Sequence, residues 1–316
     1  MRIRGVLPGI AAAAVCTTLF AQQPPQGAAP QAPGAQGRGQ GAAAAPSGPS
    51  PRVFIYAGLK THAVGQHDYP QFLADWSKIL TERGAVVSGA LQFPSARELA
   101  NADVLVIYKG DAGYMGFEDR STLDSFLRRG GGIVTIHDAL CGPEPDQYAS
   151  IVGGGKKHGE VNYTLEADVP YTIVDTAHPI MQGMSNFSIK DEAFFNMTWS
   201  KAPEIKVLAT ATMAATPSAK GHEGEVVPQI WTYEKSLAPF PTGQPYRAFV
   251  WMQGHNYANF ALPQVQGMLL RGIAWAAKYP ADALSTVQAP RGGGRGGGRG
   301  RGTQPPAEPG RGGSGF

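Results

Sequence analysis

Residues 52–57, Arg-Val-Phe-Ile-Tyr-Ala, form a short β-branched and aromatic run that Gly58 ends. A continuous apolar run of this length suits a strand covered on both faces, as in a parallel sheet. Across Tyr69–Arg83, Phe72, Leu73, Trp76, Ile79 and Leu80 recur at helical spacing, and Gly84 supplies the stop. Strand patterns return at Ala85–Ser88 and Asp103–Tyr108. Phe117–Arg129 then reads as a helix, with Glu118 and Asp119 at its start and Arg128 and Arg129 at its end, as a helix dipole favours. Gly131–Ile136 is a fourth strand. Beyond Cys141 the candidates are mostly strands, at Val161–Glu166, Tyr171–Val174, Ile205–Thr210, Val226–Tyr233 and Arg247–Met252, before a closing helix over Pro263–Lys278. This order predicts a doubly wound α/β domain of flavodoxin-like type, with a mostly parallel sheet and a strand-rich second half.

Composition limits that domain to the middle of the chain. Residues 22–51 hold seven Pro and six Gly, and residues 286–316 hold twelve Gly and four Pro, so neither can bury a core. Both read as disordered segments around a domain at 52–285. Residues 1–21 have the form of an export signal: Arg2 and Arg4, an apolar stretch from Ile10 to Phe20, then Ala21. A secreted or periplasmic protein is therefore expected, without a membrane span once the signal is removed. Cleavage after Ala21 would leave Cys141 as the only thiol of the two cysteines in the chain. A retained hydrophobic or lipid anchor is the competing reading. The net charge of +3 is carried by the flanks, so the domain itself is mildly acidic and no nucleic-acid partner is expected. The Gly-Gly-Gly-Arg repeats after Arg291 resemble RNA-binding segments, but an exported chain makes a solvated tail the better reading.

In an open parallel sheet, ligands bind where loops leave the carboxyl ends of the strands. That rule selects the loop after the first strand with His62, His67 and Asp68, Gly110 after the third, and His137-Asp138 after the fourth. His255 joins them if the strand ending at Met252 lies in the same sheet. Four of the seven histidines then share one edge. His158 follows the Gly-rich run 153–155 and is a further substrate-binding candidate. Asp191-Glu192 reads either as a buried carboxylate pair or as a solvated turn. His178 suits a structural turn, and His222 an exposed loop. No Gly-x-Ser-x-Gly elbow, Cys-x-x-Cys, His-Glu-x-x-His or phosphate-binding loop occurs, which argues against covalent Ser or Cys catalysis and against the common zinc motifs.

Together these residues resemble the trehalose-utilisation ThuA-like family. The matching stretches are Gly130-Gly-Gly-Ile-Val-Thr-Ile-His137, Val152-Gly-Gly-Gly155 with His158, Ala177-His178-Pro179-Ile180 leading to Asp191-Glu192, Val227-Pro-Gln-Ile-Trp231, and Arg247 to His255 before Gly272-Ile-Ala-Trp275. The resemblance implies a class I glutamine amidotransferase-like fold and a link to sugar catabolism. Where amidotransferases carry a nucleophilic Cys after the corresponding strand, this chain has His137, so glutaminase activity should be absent. Phe194 and Phe260 depart from the family pattern and are expected near the pocket.

The expected function is to act on, or bind, trehalose or a related glycoside by general acid–base chemistry. His137 would be the central base, with Asp138 and Glu192 as partners. His62, His67, Asp68, Gly110, His158 and His255 would contact the sugar. His62, His137 and His255 could instead hold a divalent ion such as zinc, since a catalytic site needs only three protein ligands. A non-catalytic sugar-binding module is the alternative.

Overall fold

The computed structural model describes residues 50–201, 205–237 and 245–288. The export signal expected at 1–21 lies outside these residues, as does nearly all of both expected flanks. In chain order the elements are β1 (Arg52–Ala57), α1 (Tyr69–Glu82), β2 (Val86–Ala90), α2 (Ala96–Ala100), β3 (Val104–Tyr108), α3 (Phe117–Arg128), β4 (Gly132–Ile136), β5 (Cys141–Gly142), α4 (Pro145–Val152) and β6 (Gly154–Lys157). They continue with β7 (Tyr163–Ile173), β8 (Phe187–Phe194), β9 (Thr198–Trp199), β10 (Ile205–Thr212), β11 (Val226–Lys235), β12 (Tyr246–Trp251) and α5 (Pro263–Ala276).

The large sheet has the order β2-β1-β3-β4-β12-β11-β10-β7-β8. From β2 to β12 every pairing is parallel, in the 2-1-3-4-5 order of flavodoxin-like sheets. From β12 to β8 every pairing is antiparallel. The expectation of a mostly parallel sheet is thus corrected to a mixed nine-stranded one. A three-stranded sheet, β5-β6-β9, stands apart.

Period-two alternation divides the central strands between two cores. Val53 and Ile55 of β1, Val104 and Val106 of β3, Val134 and Ile136 of β4, and Phe249 and Trp251 of β12 pack under α1 and α5. Phe54, Leu105, Ile107, Ile133 and Val250 pack on the opposite face under α3 and α4. This two-sided burial is why the sequence of the parallel half shows continuous apolar runs. Where α5 meets the sheet, glycine permits the close packing: a Cβ at Gly132 of β4 would lie 2.1 Å from the Ala276 carbonyl oxygen, and one at Gly272 of α5 would lie 2.3 Å from Phe249.

Two expected strands, Val161–Glu166 and Tyr171–Val174, are one strand, β7. Its polar centre with Asp168 and Pro170 mimics a turn, and the irregular register between Thr164 and Ala167 surrounds Glu166 at φ 43°. The structure also adds α2, α4, β5, β6, β8 and β9, most of them too short to show a period. No helix among the described residues is long and apolar enough to cross a membrane.

The folded chain continues past Ser285. Leu284 is fully buried, the Gln288 amide donates to the Glu82 carbonyl at 2.8 Å, and its side chain donates to the Arg83 carbonyl at 3.2 Å. A protein of residues 50–288 should therefore melt with the full chain. Ending at Ala276 removes a buried leucine, the two Gln288 hydrogen bonds and the Arg271–Asp282 ion pair, about 3–5 kcal/mol, and should lower the melting temperature by on the order of 10 °C. Equal melting of the two truncations by calorimetry would show that this strap contributes nothing.

Candidate active site

Because β1 lies between β2 and β3, the chain leaves β1 in opposite directions and opens a crevice at the carboxyl ends of the strands. Into it run the loop after β1 with His62 and His67, Asp111 after β3, His137 and Asp138 directly after β4, and His255 after β12. The loops are fastened to each other: the His67 amide donates to the His255 carbonyl at 3.0 Å, and Gln66 forms a bridge with Asn256. His62, His67, Asp111 and His137 all have positive φ, between 48° and 61°. Such backbone is strained for residues with a Cβ and persists where surrounding contacts enforce it.

Three imidazoles form the floor. His67 Nε2 lies 3.0 Å from His137 Nε2 and 3.0 Å from His255 Nδ1. His137 Nδ1 faces the Met252 carbonyl at 3.0 Å, and His67 Nδ1 faces the Thr61 hydroxyl at 3.1 Å. His137 also stacks on Phe194, with ring centroids 5.1 Å apart. All three rings are buried. Burial, followed by the neighbouring imidazole of His137, pushes His67 down to about 2. Burial pushes His137 down to about 3, against the opposing effect of the Met252 carbonyl, and lowers His255 as well. Burial thus disfavours the proton exchange near neutral pH expected of His137, whose ring has no solvent exposure.

Two carboxylates reach the same rings. Glu192 lies 3.7 Å from His137 Nε2 and 3.6 Å from His255 Nδ1, and Asp138 lies 3.7 Å from His67 Nε2 and 3.9 Å from His137 Nε2. Burial, and then the charges of Asp138 and Asp191, push Glu192 up to about 8. Asp191-Glu192 is a buried pair on β8 and not a solvated turn. Asp191 accepts hydrogen bonds from the amides of Glu192, Gly254, His255 and Asn256 and from the Asn259 side chain. Burial pushes it up to about 6, and these donors hold it from rising further.

Above the imidazoles is a pocket of about 280 Å³ whose walls include His62, His67, Asp111, Asp138, Lys156 and Glu192. Another cavity, of about 250 Å³ between α3 and α4, is lined by residues such as Leu123, Tyr148 and Ile151 and by none of these imidazoles.

This architecture coincides with a sequence signature over most of the domain, since the family model for ThuA, trehalose utilisation, matches residues 52–276. The chain belongs to the ThuA family. A ThuA-like protein from Parabacteroides merdae ATCC 43184 is similar in structure, with a TM-score of 0.55 and 19% identity over 77% of this chain and 94% of that one. Another from Bacteroides uniformis ATCC 8492 has a TM-score of 0.54 and 14% identity over 74% and 94% of the respective chains. At such identities the likeness is one of fold. No curated protein matches the chain.

Within this ThuA chain the expected site residues divide. His67, His137 and His255 meet, with Asp138 and Glu192 beside them. His62, expected as a metal ligand, is exposed on the rim, 4.0 Å from the His67 ring by centroids, and His67 takes its place in the triad. Asp68 turns away to accept from the Gly65 amide and pair with Lys60, because it caps its own loop. Gly110 is not on the pocket wall; its neighbour Asp111 is, bonded at 2.7 Å to His158 across the opening. Phe194 lies at the pocket as expected, whereas Phe260 packs in the core against Phe72, Tyr108 and Trp251. Cys141 lines the pocket, but burial and then Asp138 raise its thiol well above the ordinary range, which disfavours a nucleophilic thiolate. His178 is structural, accepting from the Ile180 amide, and His222 pairs with Glu225.

Asp111, Lys156 and Tyr163 line the pocket without having been singled out in the sequence. Asp111 sits in a loop the strand-exit rule had selected. Lys156 carried no such signal, because its buried position depends on β6 and on the rings of Phe194 and Tyr163 beneath its ammonium.

The Asp191 cluster makes a direct prediction. Asp191→Ala leaves three backbone amides of the His255 loop without their acceptor and should cost about 3 kcal/mol or more in urea unfolding, with Asp191→Asn intermediate. A loss below about 1 kcal/mol would mean that the carboxylate does not fasten this loop.

Proposed function

We propose that this ThuA-family chain is an exported protein that binds a sugar or glycoside in the crevice and acts on it by general acid–base chemistry, without a covalent cysteine intermediate. The observation that carries this reading is the pair Glu192 and Asp138, two carboxyl groups on unrelated elements that share His137 and both line the pocket. Two carboxyls in different surroundings are the means by which a site supplies a proton at one point and takes one at another. Glu192, with 10% side-chain exposure, is the donor in this reading, and Asp138, with 25%, the acceptor. His137 acts through them as a positioning residue.

The family supports trehalose utilisation as the setting. A pocket of about 280 Å³ falls just below the roughly 300–1,000 Å³ usual for small-molecule sites, and suits one sugar ring better than an extended chain. Its wall carries hydroxyl-recognising groups of both kinds, with Asp111, His158, Lys156 and Glu160.

The test is a panel of trehalose, related glycosides and their oxidised forms, with binding and products both measured. Glu192→Gln and Asp138→Asn should each lower turnover by about 100-fold or more, the usual contribution of a general acid or base, with melting little changed. Cys141→Ser should turn over normally. Binding without product from any sugar would favour a non-catalytic sugar-binding module, and an inactive Cys141→Ser variant beside an active Glu192→Gln one would overturn the mechanism.

A further inference from the structure

Proton bookkeeping in the imidazole triad is unresolved by the protein alone. The Met252 carbonyl can only accept, so His137 carries its proton on Nδ1 and presents a lone pair at Nε2. That lone pair faces His67 Nε2 at 3.0 Å, which in turn faces His255 Nδ1 at 3.0 Å. If His67 holds a proton on Nε2, the single N–H can point along only one of the two contacts. If it does not, two lone pairs oppose each other between His67 and His137. In each neutral assignment at least one contact at hydrogen-bonding distance lacks its hydrogen. On the outer side of the cluster, His255 Nε2 is buried without a hydrogen bond, with the Glu166 carboxylate 3.7 Å away.

The carboxyl groups add to the imbalance. Glu192 and Asp138 approach the same nitrogens at 3.6–3.9 Å, so acceptors converge here from β4, β8, β12 and the loop after β1. Three imidazole nitrogens that converge with one contact short of its hydrogen, beside two carboxyl groups, describe a cation site. Separations of 3.0 Å equal the spacing of neighbouring ligands at about 90° on an ion with bonds of about 2.1 Å to imidazole nitrogen. The three donor atoms all lie within 4.8 Å of one another.

We infer that His67 Nε2, His137 Nε2 and His255 Nδ1 bind one first-row divalent transition-metal ion, with Glu192 and Asp138 on its open side towards the pocket. Imidazole donors select an ion such as zinc, cobalt or iron over magnesium or calcium, which favour oxygen. The Met252 carbonyl supplies the outer hydrogen bond that fixes the His137 tautomer. The inference does not depend on the sugar reading, since it concerns only what the triad holds.

Full-length protein prepared without chelator should carry about one transition-metal ion per chain by elemental analysis, and chelation should remove it. Titration of the stripped protein with Zn²⁺ or Co²⁺ should restore one-site binding and raise the melting temperature. His67→Ala and His255→Ala should weaken that binding by about 100-fold or more, while His222→Ala, on a surface ion pair, should leave it intact. Should the triad variants fail to fold, spin-echo modulation of Cu²⁺-loaded wild-type protein counts coordinated imidazoles without any substitution, and three are expected. Stripped wild-type protein that binds none of these ions and melts identically with and without them would overturn the inference. Equal binding by the triad variants would do the same. Metal binding without sugar turnover would count against the proposed function alone, and sugar turnover by a protein that binds none of these ions against the metal centre alone.

Discussion

Asp191 has no solvent exposure, yet it keeps a carboxylate within reach of the amides of Gly254, His255 and Asn256 and of the Asn259 side chain. Its strand, β8, ends the antiparallel wing, four places from β12 in the sheet. The wing must therefore curl until its outermost strand meets the loop that leaves the parallel half. Removing a charge from water is unfavourable unless hydrogen bonds replace the lost hydration, and here the backbone of the His255 loop supplies them. The loop conformation and the curl of the wing thus require each other.

From that constraint the site follows. Glu192 is the next residue along β8, so fastening Asp191 to the loop delivers the Glu192 side chain to His137 and His255. A buried amide network secures the same strand. Gln253 donates to the Glu192 carbonyl and to Gln229, Gln229 donates to the Phe194 carbonyl, and Tyr171 bridges Gln253 and Trp251. Such networks hold a single arrangement when every member is satisfied. His137 is fixed from the other side by the strained turn after β4, where an imidazole occupies the position that would suit an exposed nucleophile, and it points inward to Met252.

The parallel half was legible because its physics is local to each strand. β1, β3 and β4 are apolar on both faces and α1 has one apolar stripe, so the pattern alone places the loops with His67 and Asp138 at one edge, and His255 with them on the condition, met in the fold, that β12 joins the same sheet. The antiparallel wing was less legible. Lys190-Asp191-Glu192 within β8 has the composition of a turn, and Asp191 and Glu192 become buried only because β12 and its loop lie against them, which is a contact between residues some sixty positions apart. The exchange of His62 for His67 in the triad has the same origin. Both lie in one polar loop, and the choice between them is made by the backbone bond from His67 to His255 and by the strained φ of both residues.

The raised Glu192 and the lowered histidines have one cause. Burial removes the hydration that either charged form would need, so the metal-free cluster favours a protonated carboxyl beside neutral imidazoles. That state is also one in which the nitrogens are deprotonated and able to coordinate, as ligation demands. A divalent charge at the triad would draw Glu192 down from that raised position, while leaving the neutral imidazoles as they are. The two carboxyl groups and the triad would then be coupled through one local charge, and Glu192, which faces both the rings and the pocket, is where that coupling would act.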